Sequence, residues 1–151
     1  MSITAELSEV ARVRVIYGDT DQMGMVYYGN YLRYFEIARN EFLRRAGAPY
    51  RAFEETHGLR LPVIEATVHY RRPARYDDEL GIFAAVPVVT GATARFVYQI
   101  RRVPDGEELA SGHTVHACID AQGKVARLPR VFRELLSAGA PPPLPAPASG
   151  R

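Results

Sequence analysis

The chain has 151 residues, 47% hydrophobic and 24% charged, with a formal net charge of +2. That is the make-up of one globular domain able to bury its own core, and it carries too little positive charge to argue for nucleic acid as a partner. A single cysteine, Cys118, excludes an intrachain disulfide framework and a cysteine metal site, and nothing in the sequence calls for a cofactor.

No stretch approaches the length of a membrane span. Glu6 and Glu9 stand in a start that lacks an apolar run, so no signal peptide is expected and the predicted location is cytoplasmic. Residues 1–10 read as a loose arm. Val13, Val15 and Tyr17 then alternate with Arg12, Arg14 and Ile16, which predicts a first strand.

Two acids, Asp19 and Asp21, follow that alternation, and Gly24 marks a turn before the aromatic cluster Tyr27, Tyr28 and Tyr31. From Asn30 to Ala46 the period changes. Tyr31, Phe35, Ala38, Phe42 and Ala46 recur at helical spacing, Glu41 and Arg45 make a favourable i,i+4 pair, and Gly47 and Pro49 end the helix.

Four more strands are predicted. They are 63–70, 80–88, 94–102 and 108–120, separated by 71–78, Gly91, Pro104-Asp105-Gly106 and Ala121-Gln122-Gly123. Pro87 predicts a bulge or a nearby strand end. Pro129 opens a short last helix, Arg130 to Leu136, and the proline-rich stretch from Gly139 reads as a disordered tail. The boundaries are a folded domain over 1–138 and a tail over 139–151. Strand, long helix, then four antiparallel strands make an α+β domain whose sheet curls around one helix, leaving edges that dimerisation would cover.

The acids and the helix start carry the chemistry. The first backbone N–H groups of a helix have no intrahelical partners, so they can stabilise a developing oxyanion, while a nearby carboxylate attacks a carbonyl or activates water. The plain alternative is a strand, a turn and a capped helix with no chemistry. His113 and His116, three apart on a strand, point to opposite faces and do not share a metal. Cys118 reads as a packed thiol and His57 as a loop residue, with Glu65 its one conceivable partner.

Asp19-x-Asp21-x-x-Gly24-x-Val26-Tyr27-x-x-Asn30-Tyr31, then Glu36-x-Ala38-Arg39 and the later Arg72-Pro73-Ala74-Arg75-Tyr76-Asp77-Asp78, resembles the 4-hydroxybenzoyl-CoA thioesterase family. The likeness is closest to its Tol-Pal-associated acyl-CoA thioesterases, although Tyr28 stands where many of those have histidine. The resemblance covers about residues 10–136. It implies a hot-dog fold, an acyl-CoA substrate bound where subunits meet in a homodimer or homotetramer, and no metal. It places the catalytic carboxylate on Asp21 and the oxyanion donor at the backbone of Tyr28 or Gly29. Gly24, Val26, Tyr27 and Tyr31 would line the substrate, and Asp19 would hold the turn. Arg101 and Arg102, with Arg127 and Arg130, are the candidates for the phosphates of coenzyme A. A hydratase or dehydratase on the same fold, or an acyl-binding protein without catalysis, are the other readings.

Overall fold

The computed structural model describes residues 6–146. Five strands form one antiparallel sheet: β1 (Ser8–Arg14), β2 (Val63–Tyr70), β3 (Glu79–Val89), β4 (Thr93–Val103) and β5 (Glu108–Ala117). Their order is β1-β3-β4-β5-β2, so β1 and β2 are the two edges. The sheet packs against α1 (Asn30–Arg45), as its apolar stripe requires; α2 (Tyr50–His57) and α3 (Arg130–Ser137) pack at the far end of α1 and beside β3. This is the hot-dog architecture the sequence implied.

The core forms where the helical stripe meets alternating strands. Tyr31, Tyr34, Phe35, Ala38 and Phe42 are buried on α1 against Phe96, Tyr98 and Ile100 of β4. Phe35 stacks on Tyr98 with ring centroids 4.3 Å apart. The close approach rests on Gly112 of β5. A Cβ there would collide with the carbonyl of Thr67 on β2 and with the Phe35 ring, 2.7 Å away.

Beneath α1 lies a directional hydrogen-bond chain. The Leu61 carbonyl can only accept, so His116 donates from Nδ1 at 2.9 Å, and its Nε2 accepts from the Thr114 hydroxyl at 2.8 Å. Thr114 in turn accepts from the Tyr98 hydroxyl at 2.7 Å. Burial lowers the His116 pKa, which keeps the imidazole neutral and suits this arrangement.

Four sequence expectations are corrected. The first strand starts at Ser8, inside the stretch read as an arm, and ends at Arg14. A register shift between Glu9 and Ala11 puts Val10 and Ala11 both in the core, which breaks the alternation. Tyr17 leaves the strand altogether, is exposed, and stacks on Tyr76. His57, read as a loop residue, belongs to a helix over residues 50–57, whose Phe53 packs on Phe132 of α3. His57 is therefore its last residue, and Glu65 pairs instead with His113, at 2.8 Å on the outer face. The shift between Ala85 and Val88 brackets Pro87, as a bulge there should.

The fourth correction is the tail. Residues 147–151 lie outside the described residues, but 139–146 run along β1 rather than free. The Leu144 N–H donates to the Glu9 carbonyl at 2.9 Å, the Ser8 hydroxyl donates to the Pro141 carbonyl at 2.6 Å, and Arg45 reaches the Pro142 carbonyl. Pro141 is buried. Prolines have no N–H to offer a further strand, so the segment covers the edge without extending the sheet. Truncation after Ala138 should cost about 2 kcal/mol, counting the Ser8 and Glu9 bonds at about 1 kcal/mol each and nothing for the exposed Arg45 contact, and lower the melting temperature by roughly 5 °C. Thermal unfolding beside light scattering reads it; an unchanged midpoint would show that the segment contributes nothing.

Candidate active site

The loop between β1 and α1 is built around Asp19. Its Oδ2 accepts from the Ile16 N–H at 3.1 Å and from the Tyr34 hydroxyl at 3.0 Å, tying the loop to the second turn of α1. The Asp19 carbonyl accepts from the Tyr27 N–H and from Asn30 Nδ2, which fixes the first residue of the helix. Asp19 is buried, and Arg33 Nη1 lies 3.9 Å from its other oxygen. Burial, with the carboxylate next to it, drives the Tyr34 pKa strongly upward, so Tyr34 stays protonated and donates. Holding the turn is the role the sequence implied for Asp19.

Asp21 has the opposite environment. It begins a tight hairpin in which its N–H donates to the Met25 carbonyl at 2.9 Å and its carbonyl accepts from the Gly24 N–H at 3.0 Å. Gly24 turns the corner at φ +78°, a left-handed conformation that favours glycine. Asp21 Oδ1 accepts from the Met23 N–H at 2.9 Å, while Oδ2 carries no hydrogen bond among the described residues. The carboxylate lines a cavity of about 240 Å³ with Met25, Val26, Tyr28, Tyr31 and Tyr70. The cavity is mostly apolar, and Arg71 and Arg72 stand at its rim.

The helix start closes that cavity. Gly29 is the residue before α1. The N–H groups of Asn30 and Tyr31 turn back onto the carbonyls of Tyr27 and Tyr28, whereas those of Tyr28 and Gly29 have no backbone partner among the described residues. The ring of Tyr70 meets Tyr31 edge-on at 5.1 Å, and its hydroxyl donates to the Tyr28 carbonyl at 2.9 Å. Tyr31 accepts from the Ala74 N–H, so the aromatic wall is pinned to the segment after β2.

Of the residues singled out in the sequence, Asp21, Val26, Tyr28 and Tyr31 share this cavity. Gly24, Gly29 and Tyr27 are not among its lining residues: the two glycines are chain neighbours of residues that are, and the Tyr27 ring lies on Tyr28 at 4.6 Å. Arg101 and Arg102 are not brought there. Arg101 sits over the Phe83 ring and is bonded to Gln99, and Arg102 is held by Asp105 and Glu107. The rim arginines are instead Arg71 and Arg72, facing Glu108 and Glu107 at 3.4 and 3.3 Å. With Tyr70 and Pro73 they were missed as lining residues, although the motif beginning at Arg72 marked the segment.

A family model described as the thioesterase-like superfamily matches residues 15–136. The chain belongs to the thioesterase-like superfamily. Within it, the acyl-CoA thioesterase YbgC of Haemophilus influenzae is 37% identical over 72% of this chain and 78% of that protein. The DHNA-CoA thioesterase of Staphylococcus aureus superposes with a TM-score of 0.80 at 28% identity, covering 85% of this chain and 87% of that one. A hypothetical protein of Thermus thermophilus superposes with a TM-score of 0.77 at 36% identity, covering 85% and 94%. The superfamily match spans both the Asp19–Asn30 loop and the segment after β2 that closes the cavity.

Asp19→Asn should lower stability by about 2 kcal/mol, the scale of a hydrogen bond to a charged group, and Tyr34→Phe by about half as much. Denaturant unfolding of both variants is the check. An Asp19→Asn protein as stable as the parent would remove Asp19 from its place as the tie between loop and helix.

Proposed function

We propose that the protein hydrolyses an acyl- or aroyl-CoA thioester to the free acid and coenzyme A, with Asp21 as the reacting carboxylate. The observation that carries this reading is the juxtaposition at the helix start: Asp21, with one oxygen free of hydrogen bonds among the described residues, shares an apolar cavity with Tyr28, and the N–H groups of Tyr28 and the adjoining Gly29 have no backbone partner there. A thiolate leaves readily, so the reaction needs a nucleophile or base and a stabilised oxyanion, and little else. Asp21 supplies the first, by attacking the carbonyl or by activating a water. The N–H groups of Tyr28 and Gly29 supply the second, worth several kcal/mol where water is excluded. Tyr28, Tyr31 and Tyr70 border the acyl group and favour an aromatic one. Arg71 and Arg72 at the rim meet the phosphates of coenzyme A. A dehydratase would place a histidine beside its carboxylate, yet the cavity has none among its described lining, and the His113–Glu65 pair lies on the other face of the sheet.

Among the described residues no helix is long and apolar enough to cross a membrane. The working assembly is a homodimer joined through β2. The β1 edge is covered by residues 139–146, while among the described residues β2 has no strand beyond it and is exposed over most of its length. Two such edges pair around a two-fold axis and continue the sheet. Sedimentation at micromolar concentration should give a species of twice 16.8 kDa or a multiple of it; an active monomer would rule the assembly out.

The decisive variant is Asp21→Asn, which keeps size and the bond to Met23 but removes the charge. Thiol release from a panel of aryl, short and long acyl-CoAs should fall about a hundredfold or more, with binding of a non-hydrolysable analogue and the melting temperature retained. Near-normal turnover in the folded variant would reject the residue and the mechanism together.

A further inference from the structure

Tyr70 is the last residue of β2 and is paired with Ala110 of β5. The next two backbone N–H groups, those of Arg71 and Arg72, both donate to the Leu109 carbonyl, so the end of the strand is fixed from the β5 side. Alternation from Val68, which packs on the core, puts the Tyr70 side chain on the α1 side of the sheet. There its ring meets Tyr31 edge-on at 5.1 Å and Tyr28 edge-on at 6.5 Å. Held on two sides, the ring carries its hydroxyl to 2.9 Å from the Tyr28 carbonyl oxygen. Burial, with the hydroxyls of Tyr31 and Tyr28 beside it, raises the Tyr70 pKa, so this hydroxyl is protonated and donates.

The carbonyl it holds belongs to the same peptide unit as the Gly29 N–H. That unit is trans, so the Tyr28 carbonyl and the Gly29 N–H lie in one plane and point opposite ways. Fixing one fixes the other. The helix does little of this by itself: Gly29 precedes α1, and the Tyr31 N–H reaches the Tyr28 carbonyl at 3.4 Å, near the limit of a hydrogen bond. The preceding peptide unit is held differently. Its Tyr27 carbonyl accepts from the Asn30 N–H at 2.9 Å, so the direction of the Tyr28 N–H is set locally, by the turn into the helix. The direction of the Gly29 N–H is set from another strand. A hydrogen bond to the carbonyl also polarises the amide and makes its N–H a stronger donor.

We infer that Tyr70 is a positioning residue for the hydrolysis: by donating to the Tyr28 carbonyl, it aims and polarises the Gly29 N–H as an oxyanion donor. This rests on the thioesterase reading and on the oxyanion site at the helix start. It gives the Tyr70 hydroxyl a task separate from the ring's, which is to border the acyl group. Loss of the hydroxyl leaves that apolar surface in place, so binding of the substrate is kept. What is loosened is a donor needed as charge develops on the thioester oxygen, so the cost falls on the chemical step.

The test compares the unmodified protein with Tyr70→Phe in thiol release from benzoyl-, butyryl- and palmitoyl-CoA. Removing an oxyanion donor outright costs about a hundredfold or more; here the N–H stays and only its aim is lost, so kcat should fall about tenfold with KM kept within about twofold. A second measurement separates positioning from holding the fold. The best of the three substrates, labelled with carbon-13 at its thioester carbonyl and bound to Asp21→Asn protein, reports hydrogen bonding at that carbonyl through its infrared stretch. Adding Tyr70→Phe should move the band to higher frequency, whatever it does to the melting temperature. An unchanged kcat, an effect on KM alone, or a band that does not move overturns the inference. If the unmodified protein releases thiol from none of the three, the thioesterase reading falls and the role of Tyr70 with it; if it does release thiol, only the role of Tyr70 is at stake.

Discussion

The buried carboxylate of Asp19 is the constraint from which the rest of the site follows. A charge out of water must be surrounded by donors, and the donors here come from two separate pieces of chain, the Ile16 backbone and the Tyr34 hydroxyl. Satisfying Asp19 therefore fixes the end of the first strand against the second turn of α1. Once those are fixed, the hairpin from Asp21 to Met25 has one direction to take, and the helix start has one position. Asp21 is placed by a residue that does not itself line the cavity.

The two acids show how neighbouring residues of one type acquire different work. Asp19 is enclosed and shares one oxygen between two donors. Asp21, two residues later, spends one oxygen on its own turn, keeps the other free of hydrogen bonds among the described residues, and lines an apolar cavity. Asp19 closes the short helical turn Tyr17–Asp19 and Asp21 opens the hairpin to Met25, so the break in the backbone between them sends the two carboxylates into different surroundings. Tyr31 and Tyr70 beside the cavity are held by bonds of their own, to Ala74 and to the Tyr28 carbonyl. Those two rings are pinned because the hydroxyl of each is used.

The long helix, the four strands after it, the end of β1 and the acidic turn were legible in the sequence, because their apolar runs are bounded by chemically explicit turns. What was not legible depended on partners distant in the chain. Val10 and Ala11 sit side by side in a bulge, so no alternation marks β1 before Arg12. Residues 50–57 offer one buried side chain, Phe53, whose partner is Phe132. The prolines after Gly139 look like a tail in composition, and only the neighbouring edge of β1 gives them something to rest on. The rim of the cavity was misassigned for the same reason. Arg101 and Arg102 look no different in sequence from Arg71 and Arg72, and all four have polar partners, but only the second pair lines the cavity, and no local pattern records that.

Gly112 has a consequence for how such a protein diversifies. Its missing side chain is what lets the Phe35 ring descend onto β5 and the Thr67 carbonyl approach from β2. A methyl group at this position would lever the helix away from the sheet or prise the outermost strand from its neighbour. Either displacement changes the width of the trough between α1 and β2 while leaving Asp21 untouched. A single position in the floor of the sheet thus sets the calibre of the trough, and selection for bulkier or slimmer acyl groups has a place to act that is remote from the reacting atoms.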